Sequence, residues 1–168
     1  EDIIDLTQVF PLLGYDDNQI IISFSLYLLS RIRLTKKFNS MYNKSMTIYA
    51  LSSGPGVSGV AIIRVSGKNT SEVIKKMTNG DLPTPRVATL KKINNINTSE
   101  LIDEGIILWF PAPNSYTGED MAEFHVHGSI SVINSIQNEI SNIKNCRLAE
   151  PGEFTKLAFQ NGKINLLK

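Results

Sequence analysis

Strand-like and helix-like segments alternate along the chain after Met46, and each kind has its own spacing of apolar residues. The segment from Val60 to Val65 is rich in β-branched residues, which favour strands. Further along, four isoleucines recur at intervals of three, four and three, the spacing of one buried stripe on a helix: Ile133, Ile136, Ile140 and Ile143. Because strands and helices alternate and a polar hairpin joins two strands, we predict an α/β (α+β) fold with a mixed β-sheet and packed helices.

The apolar runs and the turn residues between them predict nine elements. Strands are expected at 47–51, 60–65, 86–93, 101–110, 121–127 and 147–150, and helices at 72–77, 129–143 and 151–161. A polar side chain is expected to cap the first helix: Asn69, Thr70 or Ser71. Asn79-Gly80 should end that helix, and Pro151 suits the first turn of the last one, where its missing N–H needs no partner.

Residues 1–45 differ in character from the rest and carry no motif, although a short amphipathic helix is expected near 19–35. Whether this extension is native to the protein stays open, and a start at Met46 would leave one self-consistent domain over 46–168. The apolar run Ile20–Leu29 is shorter than the roughly 20 residues that span a bilayer. The order acidic, apolar, basic is also the reverse of a secretory signal, so no membrane partner is expected.

Charge and cysteine content narrow the classes of function. The 17 basic and 16 acidic residues are interspersed and give a net charge of +1. A sequence-independent nucleic-acid binder needs a broad cationic face, so any RNA partner should be held elsewhere. The single cysteine, Cys146, excludes an intrachain disulfide and a multi-cysteine zinc site, and a reducing cytoplasm is the expected location.

The glycine-rich segment Gly54–Gly59 does not have the pattern of a phosphate-binding loop. A P-loop has four residues between its glycines and then Gly-Lys-Ser/Thr, whereas Val60-Ala61 follows Gly59 here. A dinucleotide fingerprint joins a strand to a helix, but this segment joins two predicted strands. We interpret it as a tight turn whose glycines adopt positive φ.

Three polar side chains share one face of the predicted strand 121–127, while Phe124 and Val126 take the other. The three are Glu123, His125 and His127. Their spacing leaves three interpretations open: a site for zinc or iron, a polar ligand-binding face in which the carboxylate pairs with two adjacent N–H donors, and a solvated strand face.

Two cations also have two interpretations each. Arg64, which alternation places on one face with Ile62 and Ser66, can extend to solvent or point into a cleft that holds an anion. Lys163 follows the Asn161-Gly162 stop and would by itself be an ordinary cation at a helix end.

Several blocks of sequence together strongly resemble the N-terminal part of the MnmE (TrmE) family of tRNA modification GTPases. They occur in the family's order and spacing at 59–67 (GVAIIRVSG), 110–120 (FPAPNSYTGED), 123–128 (EFHVHG), 147–156 (RLAEPGEFTK) and 158–163 (AFQNGK). The resemblance covers 46–168 and implies a fold like the folate-binding domain of glycine-cleavage T-proteins. The sequence departs from the family pattern where an Arg-Gly pair, a second glycine and an arginine are usual, at Val57-Ser58, Ser129 and Leu157.

This resemblance implies that the full-length protein is a GTP hydrolase acting in tRNA modification. With the FAD protein MnmG it would add an aminomethyl or carboxymethylaminomethyl group to C5 of the wobble uridine of tRNA. The N-terminal domain would form a homodimer and bind a one-carbon donor, 5-formyl- or 5,10-methylene-tetrahydrofolate. GTP, potassium and magnesium are expected only in a G domain outside these residues, and no catalytic residue or metal ligand is expected within them.

The family's folate-contacting positions map onto Arg64, Glu123 and Lys163. A carboxylate such as Glu123 can take the guanidine-like edge of a pterin with paired hydrogen bonds, while the two cations offset the ligand's carboxylates or polarise its carbonyls. The family usually has histidine at His127, whereas His125 is at a variable position. Two alternatives stay open: an assembly module without folate function, and a stand-alone folate-dependent enzyme similar to an aminomethyltransferase.

Overall fold

The computed structural model describes residues 46–54 and 58–165, and within them six strands form one sheet in the order β3-β4-β5-β2-β1-β6. The strands are β1 (Thr47–Leu51), β2 (Ser58–Ser66), β3 (Thr89–Asn94), β4 (Leu101–Phe110), β5 (Met121–Gly128) and β6 (Cys146–Leu148). Neighbouring strands are antiparallel except β1 and β6, which are parallel. The predicted α/β fold with a mixed sheet is therefore confirmed.

Two of the three described helices help to bury one face of the sheet. These are α1 (Thr70–Thr78) and α2 (Ile130–Ser141), and α3 (Glu153–Gln160) follows β6. Phe124 and Ile63 on the sheet share one apolar core with the isoleucine stripe, whose four members are all buried as its spacing predicted. On the opposite face of β2 and β5, side chains such as Arg64 and His125 are only partly buried. The core therefore fixes one face and leaves polar groups on the other.

Two element boundaries differ from the prediction because of single residues with positive φ. The third strand begins at Thr89 and not at Arg86, since Arg86 has a φ of 63°, which is incompatible with an extended strand. The last helix begins at Glu153, because Gly152 has a φ of 76° and interrupts the helical backbone after Pro151. Pro151 thus lies before the helix and not in its first turn. The short strand expected at 147–150 covers Cys146–Leu148.

The predicted side-chain cap of α1 is wrong, although the predicted end of that helix is confirmed. Asn69 occupies the N-cap position, but its side-chain amide donates to the backbone carbonyl of Lys144. The hydroxyl of Thr70 instead donates to the carbonyl of Gly67. After Thr78 the chain leaves the helix through Asn79, whose left-handed backbone (φ 48°) is typical of such ends.

The glycine-rich segment is only partly described. Gly54 and Gly59 do not have positive φ, and Gly59 belongs to β2, so the predicted left-handed conformation is wrong at both positions. Gly56 lies outside the described residues, as does the extension 1–45 with its expected helix and apolar run. In the part of the chain that is described, no helix is long and apolar enough to cross a membrane.

Candidate functional site

The register of β2 and β5 places Arg64 directly opposite Glu123. Oε1 of Glu123 accepts hydrogen bonds from Nη2 of Arg64 at 2.8 Å and from Nε at 3.1 Å. The side chain of Arg64 is 27% exposed and that of Glu123 is 15% exposed, so the ion pair is largely shielded from solvent but still accessible. Two of the three mapped residues are therefore in direct contact.

The two histidines of β5 bind different carboxylates. Nε2 of His125 lies 3.1 Å from the second oxygen of Glu123, Oε2. His127 is exposed, and its Nδ1 and backbone N–H contact the two oxygens of Asp103 on β4 at 2.7 and 2.9 Å. Burial alone would raise the pKa of Asp103, but the hydrogen bonds from His127 and from the Glu104 backbone, together with the charge interaction with His127, outweigh burial and leave that pKa lowered. Among the described residues, no three His, Cys, Asp or Glu side chains are grouped to hold a metal ion.

Aromatic rings from two other segments face the guanidinium of Arg64. Its Cζ lies 5.5 Å from the centre of the Tyr116 ring, in the loop between β4 and β5, and 5.7 Å from that of Phe154, at the start of α3. The Tyr116 hydroxyl lies 3.2 Å from the hydroxyl of Thr155, which joins the loop to α3. Cation–π contacts of this kind hold a guanidinium in place without neutralising its charge.

Buried hydrogen bonds fix the β4–β5 loop that carries Tyr116. The hydroxyls of Ser66 and Thr117 are 2.7 Å apart, and both residues are fully buried. The side-chain amide of Asn161 donates to the backbone carbonyl of Thr117 at 2.7 Å. The geometry of the site therefore depends on contacts from β2 and from the end of α3 as well as on the loop itself.

Lys163 packs on this loop but does not contact the ion pair. Gly118 has a φ of 80°, and a Cβ built there would lie 3.0 Å from Cε of Lys163, so the lysine stem occupies the space beside the glycine. The side chain of Lys163 forms no ion pair or hydrogen bond with either Arg64 or Glu123 within the described residues. The structure thus places Lys163 beside Gly118 of the loop, outside the contact that joins Arg64 and Glu123.

An open cleft of about 490 Å³ contains the ion pair. Its lining combines charged, aromatic and small polar side chains: Arg64, Arg86, Phe110, Asn114, Ser115, Tyr116, Met121 and Glu123. Of these lining residues, sequence reasoning named only Arg64 and Glu123 as site residues, and it missed the charged side chain of Arg86 because that residue was assigned to a strand. Its position after Pro83 and Pro85, in a crossing loop, was the available signal.

A second cleft of about 420 Å³ lies between the β3–β4 hairpin and α2, and it contains the buried carboxylate of Glu139. Glu139 accepts hydrogen bonds from the side chain of Asn95 at 2.8 Å and from the backbone N–H of Ile96 at 2.9 Å. These bonds fasten the hairpin to the helix, so we assign Glu139 a structural role.

Comparison with known proteins identifies the family of the chain. Residues 47–163 match a family model described as "GTP-binding protein TrmE N-terminus". The "tRNA modification GTPase MnmE" of Pelagibacter ubique (strain HTCC1062) is 77% identical over 123 residues, which cover 73% of this chain and 28% of that protein. The protein of the same name from Agrobacterium fabrum (strain C58 / ATCC 33970) is 48% identical over 128 residues, 76% of this chain and 29% of the relative.

A mitochondrial relative is also similar. A Danio rerio protein named as a 5-taurinomethyluridine-[tRNA] synthase subunit is 46% identical over 138 residues, 82% of this chain and 27% of the relative. The chain therefore spans less than a third of the length of these relatives. Since the family model matches more than half of the residues, the chain belongs to the TrmE family and corresponds to its N-terminal part.

Proposed function

We propose that this chain is the folate-binding, dimer-forming N-terminal part of a tRNA modification GTPase. The observation that carries the proposal is the Glu123–Arg64 pair inside a cleft walled by aromatic rings. A pterin is flat and has a donor-rich edge, so it suits a carboxylate beside rings on which it can stack. 5-Formyl- and 5,10-methylene-tetrahydrofolate are the forms that would carry the one-carbon unit.

The hydrogen bonds on Glu123 define how a pterin would enter. A carboxylate has about four acceptor positions, and here Oε1 receives two donors from Arg64 while Oε2 is within reach of one from His125. Paired hydrogen bonds to a pterin edge therefore require Arg64 to turn away from Oε1. In our proposal the guanidinium turns towards an oxygen of the ligand, and Lys163 swings from Gly118 to a second oxygen.

Exposed apolar residues support the proposed homodimer. Leu90 and Ile106 are directly paired on β3 and β4 and keep 64% and 41% of their exposure. Ile106 is paired in turn with His125, and Val60 on β2 is 56% exposed. A face of this kind is stabilised when a second subunit removes it from water.

For the whole protein we propose the activity that the names of its relatives suggest, a GTPase that modifies tRNA in the cytoplasm. The proposal includes action with MnmG at C5 of the wobble uridine, with GTP, potassium and magnesium bound outside this chain. The name of the mitochondrial relative refers to a synthase of a uridine modified in tRNA, which supports this class of reaction.

Calorimetry with 5-formyltetrahydrofolate tests the folate proposal. Glu123→Ala should weaken binding by about 10- to 100-fold, since a hydrogen bond to a charged group contributes about 1.5–3 kcal/mol. Glu72→Ala is the matched control, because Glu72 forms an exposed ion pair with Lys76 on α1. Circular dichroism should show both variants folded. Equal affinity of the Glu123 variant and the control would exclude Glu123 from the site.

Sedimentation with and without the same folate separates this proposal from an assembly module. A dimer with no heat of folate binding would favour the module, in which the cleft serves only to hold the loop. A dimer that also binds folate supports the proposed function.

A further inference from the structure

Arg86 is an arginine of the cleft whose contacts are all with uncharged groups. Its guanidinium donates to the backbone carbonyl of Asn114, and its Cζ lies 5.6 Å from the centre of the Phe110 ring. No carboxylate of the described residues forms an ion pair with it, whereas Arg64 in the same cleft is paired with Glu123. The positive charge that remains uncompensated in the cleft therefore lies on Arg86.

The position of Arg86 in the cleft is distinct from that of the ion pair. Phe110, on which Arg86 stacks, is paired with Met121 at the start of β5. Glu123 lies two residues further, roughly 7 Å along the strand at about 3.4 Å per residue. The cleft therefore has a charge-neutral end at Glu123 and Arg64 and a cationic end at Arg86.

The backbone at Arg86 has an unusual conformation that fixes where the side chain starts. Its φ of 63° is in the left-handed region, where Asn and Gly are more easily accommodated than arginine. The backbone N–H of Arg86 donates to the carbonyl of Trp109 at 2.8 Å, which anchors this conformation to the end of β4. Backbone outliers of this kind are found preferentially where ligands are held.

We propose that Arg86 binds a carboxylate of the ligand, so that the cleft selects a flat heteroaromatic ring with an anionic tail. This inference rests on the proposed folate function, because a folate carries its glutamate carboxylates at the end opposite the pterin. The ring lies at Glu123, and because Arg86 is only two residues away along β5, the tail bends back across the cleft to bring one carboxylate to Arg86. A planar guanidinium held by an aromatic ring and one carbonyl keeps N–H donors available for a carboxylate.

The test compares two ligands of the same length, 5-formyltetrahydrofolate and its dimethyl ester, in which both glutamate carboxylates are neutral. Calorimetry is performed on the complete chain and on Arg86→Asn, since asparagine tolerates the left-handed backbone and should preserve the fold. Arg86→Gly is a second variant suited to the same φ. Lys92→Gln, at an exposed position on β3, controls for the loss of one positive charge elsewhere.

We expect Arg86→Asn to lose the preference for the acid over the ester. The unmodified chain should bind the acid about 10- to 100-fold more tightly than the ester, and Arg86→Asn should bind the two within about twofold of each other. Lys92→Gln should keep the full preference. A variant that merely loosens the loop would weaken both ligands equally and retain the preference.

Three results would overturn the inference. If Arg86→Asn and Arg86→Gly still prefer the acid by the original factor, another group binds the carboxylate. If the unmodified chain binds acid and ester equally, the tail is not recognised at all. If the unmodified chain binds neither ligand, the proposed folate function fails together with this inference, whereas the first two results leave that function intact.

Discussion

Replacing Thr117 with valine should destabilise the fold more than replacing its hydrogen-bond partner Ser66 with alanine. Both residues are fully buried, and their hydroxyls are 2.7 Å apart. Thr117→Val keeps the shape of the side chain but leaves the Ser66 hydroxyl without a partner among the described residues. Ser66→Ala leaves Thr117 Oγ1 with the N–H of Glu119, 3.3 Å away. The two variants therefore remove the same bond with unequal consequences.

The hydrogen bonds that each variant removes determine how much unfolding free energy it should lose. An unsatisfied buried polar group costs about 1–3 kcal/mol, and an ordinary hydrogen bond contributes about 1 kcal/mol. Thr117→Val should therefore lower the free energy of unfolding by about 2 kcal/mol and Ser66→Ala by about 1 kcal/mol. The double variant has neither hydroxyl, so no unsatisfied hydroxyl remains buried. Its total loss of unfolding free energy should therefore stay near 2 kcal/mol instead of reaching the sum of about 3 kcal/mol.

Urea unfolding followed by tryptophan fluorescence measures all three variants. Trp109 is the only tryptophan and is 6% exposed, so its emission reports directly on the core. With a denaturant slope of roughly 2 kcal/mol per molar, Thr117→Val should lower the urea midpoint by about 1 M. A double variant whose loss equals the sum of the single losses, or Ser66→Ala more harmful than Thr117→Val, would refute the reasoning.

Two further predictions concern single ionisable groups. Burial raises the pKa of the Cys146 thiol to about 11, with a contribution from Glu72 and an opposing one from Lys76. At pH 8 the thiol should therefore react with a disulfide reagent far more slowly in native protein than in urea, and equal rates would contradict this. Burial alone would raise the pKa of Glu153, but hydrogen bonds from Arg147 and the Glu150 amide, together with the charges of Arg147 and Lys156, outweigh burial and leave that pKa below the ordinary 4.5. A lowered pKa in the folded state stabilises above pH 4.5, and this stability is lost as pH falls through the folded value. The Glu153→Gln variant should thus be less stable than the unmodified chain at pH 7 but not at pH 2. Urea titrations at both pH values measure the free energy of unfolding, and an equal loss at the two values would contradict this prediction.

Apolar periodicity predicted those elements that are long and in contact with the core. The predicted limits 101–110 of β4 coincide with the strand, because its alternating residues include Ile107 and Trp109 on the buried face. The failures at Arg86 and Pro151 have a different cause. In each case one residue with positive φ, Arg86 itself or Gly152, sets the boundary, and apolar spacing contains no information on the φ of a single turn residue.

The candidate site shows the same division between local and non-local information. Alternation along β5 correctly placed Glu123 and His125 on one face, since that depends only on neighbouring residues. The pairing of Glu123 with Arg64, which are 59 positions apart in the sequence, depends on the register between β2 and β5, and no local pattern specifies that register. Arg86 reaches the cleft through a loop that runs beside Trp109, so its role was not accessible from residue spacing.

The pairing within the cleft also decides where affinity can come from. A ligand that takes Glu123 must first displace Arg64, so part of the free energy gained at that end offsets the loss of the Glu123–Arg64 ion pair. Stacking on the rings of Tyr116 and Phe110 adds favourable free energy for the flat part of the ligand. Arg86 has no carboxylate to give up, so a carboxylate bound there gains a new ion pair. On the proposed function, Arg86 therefore contributes selectivity for an anionic tail in addition to the recognition of the ring by Glu123 and Arg64.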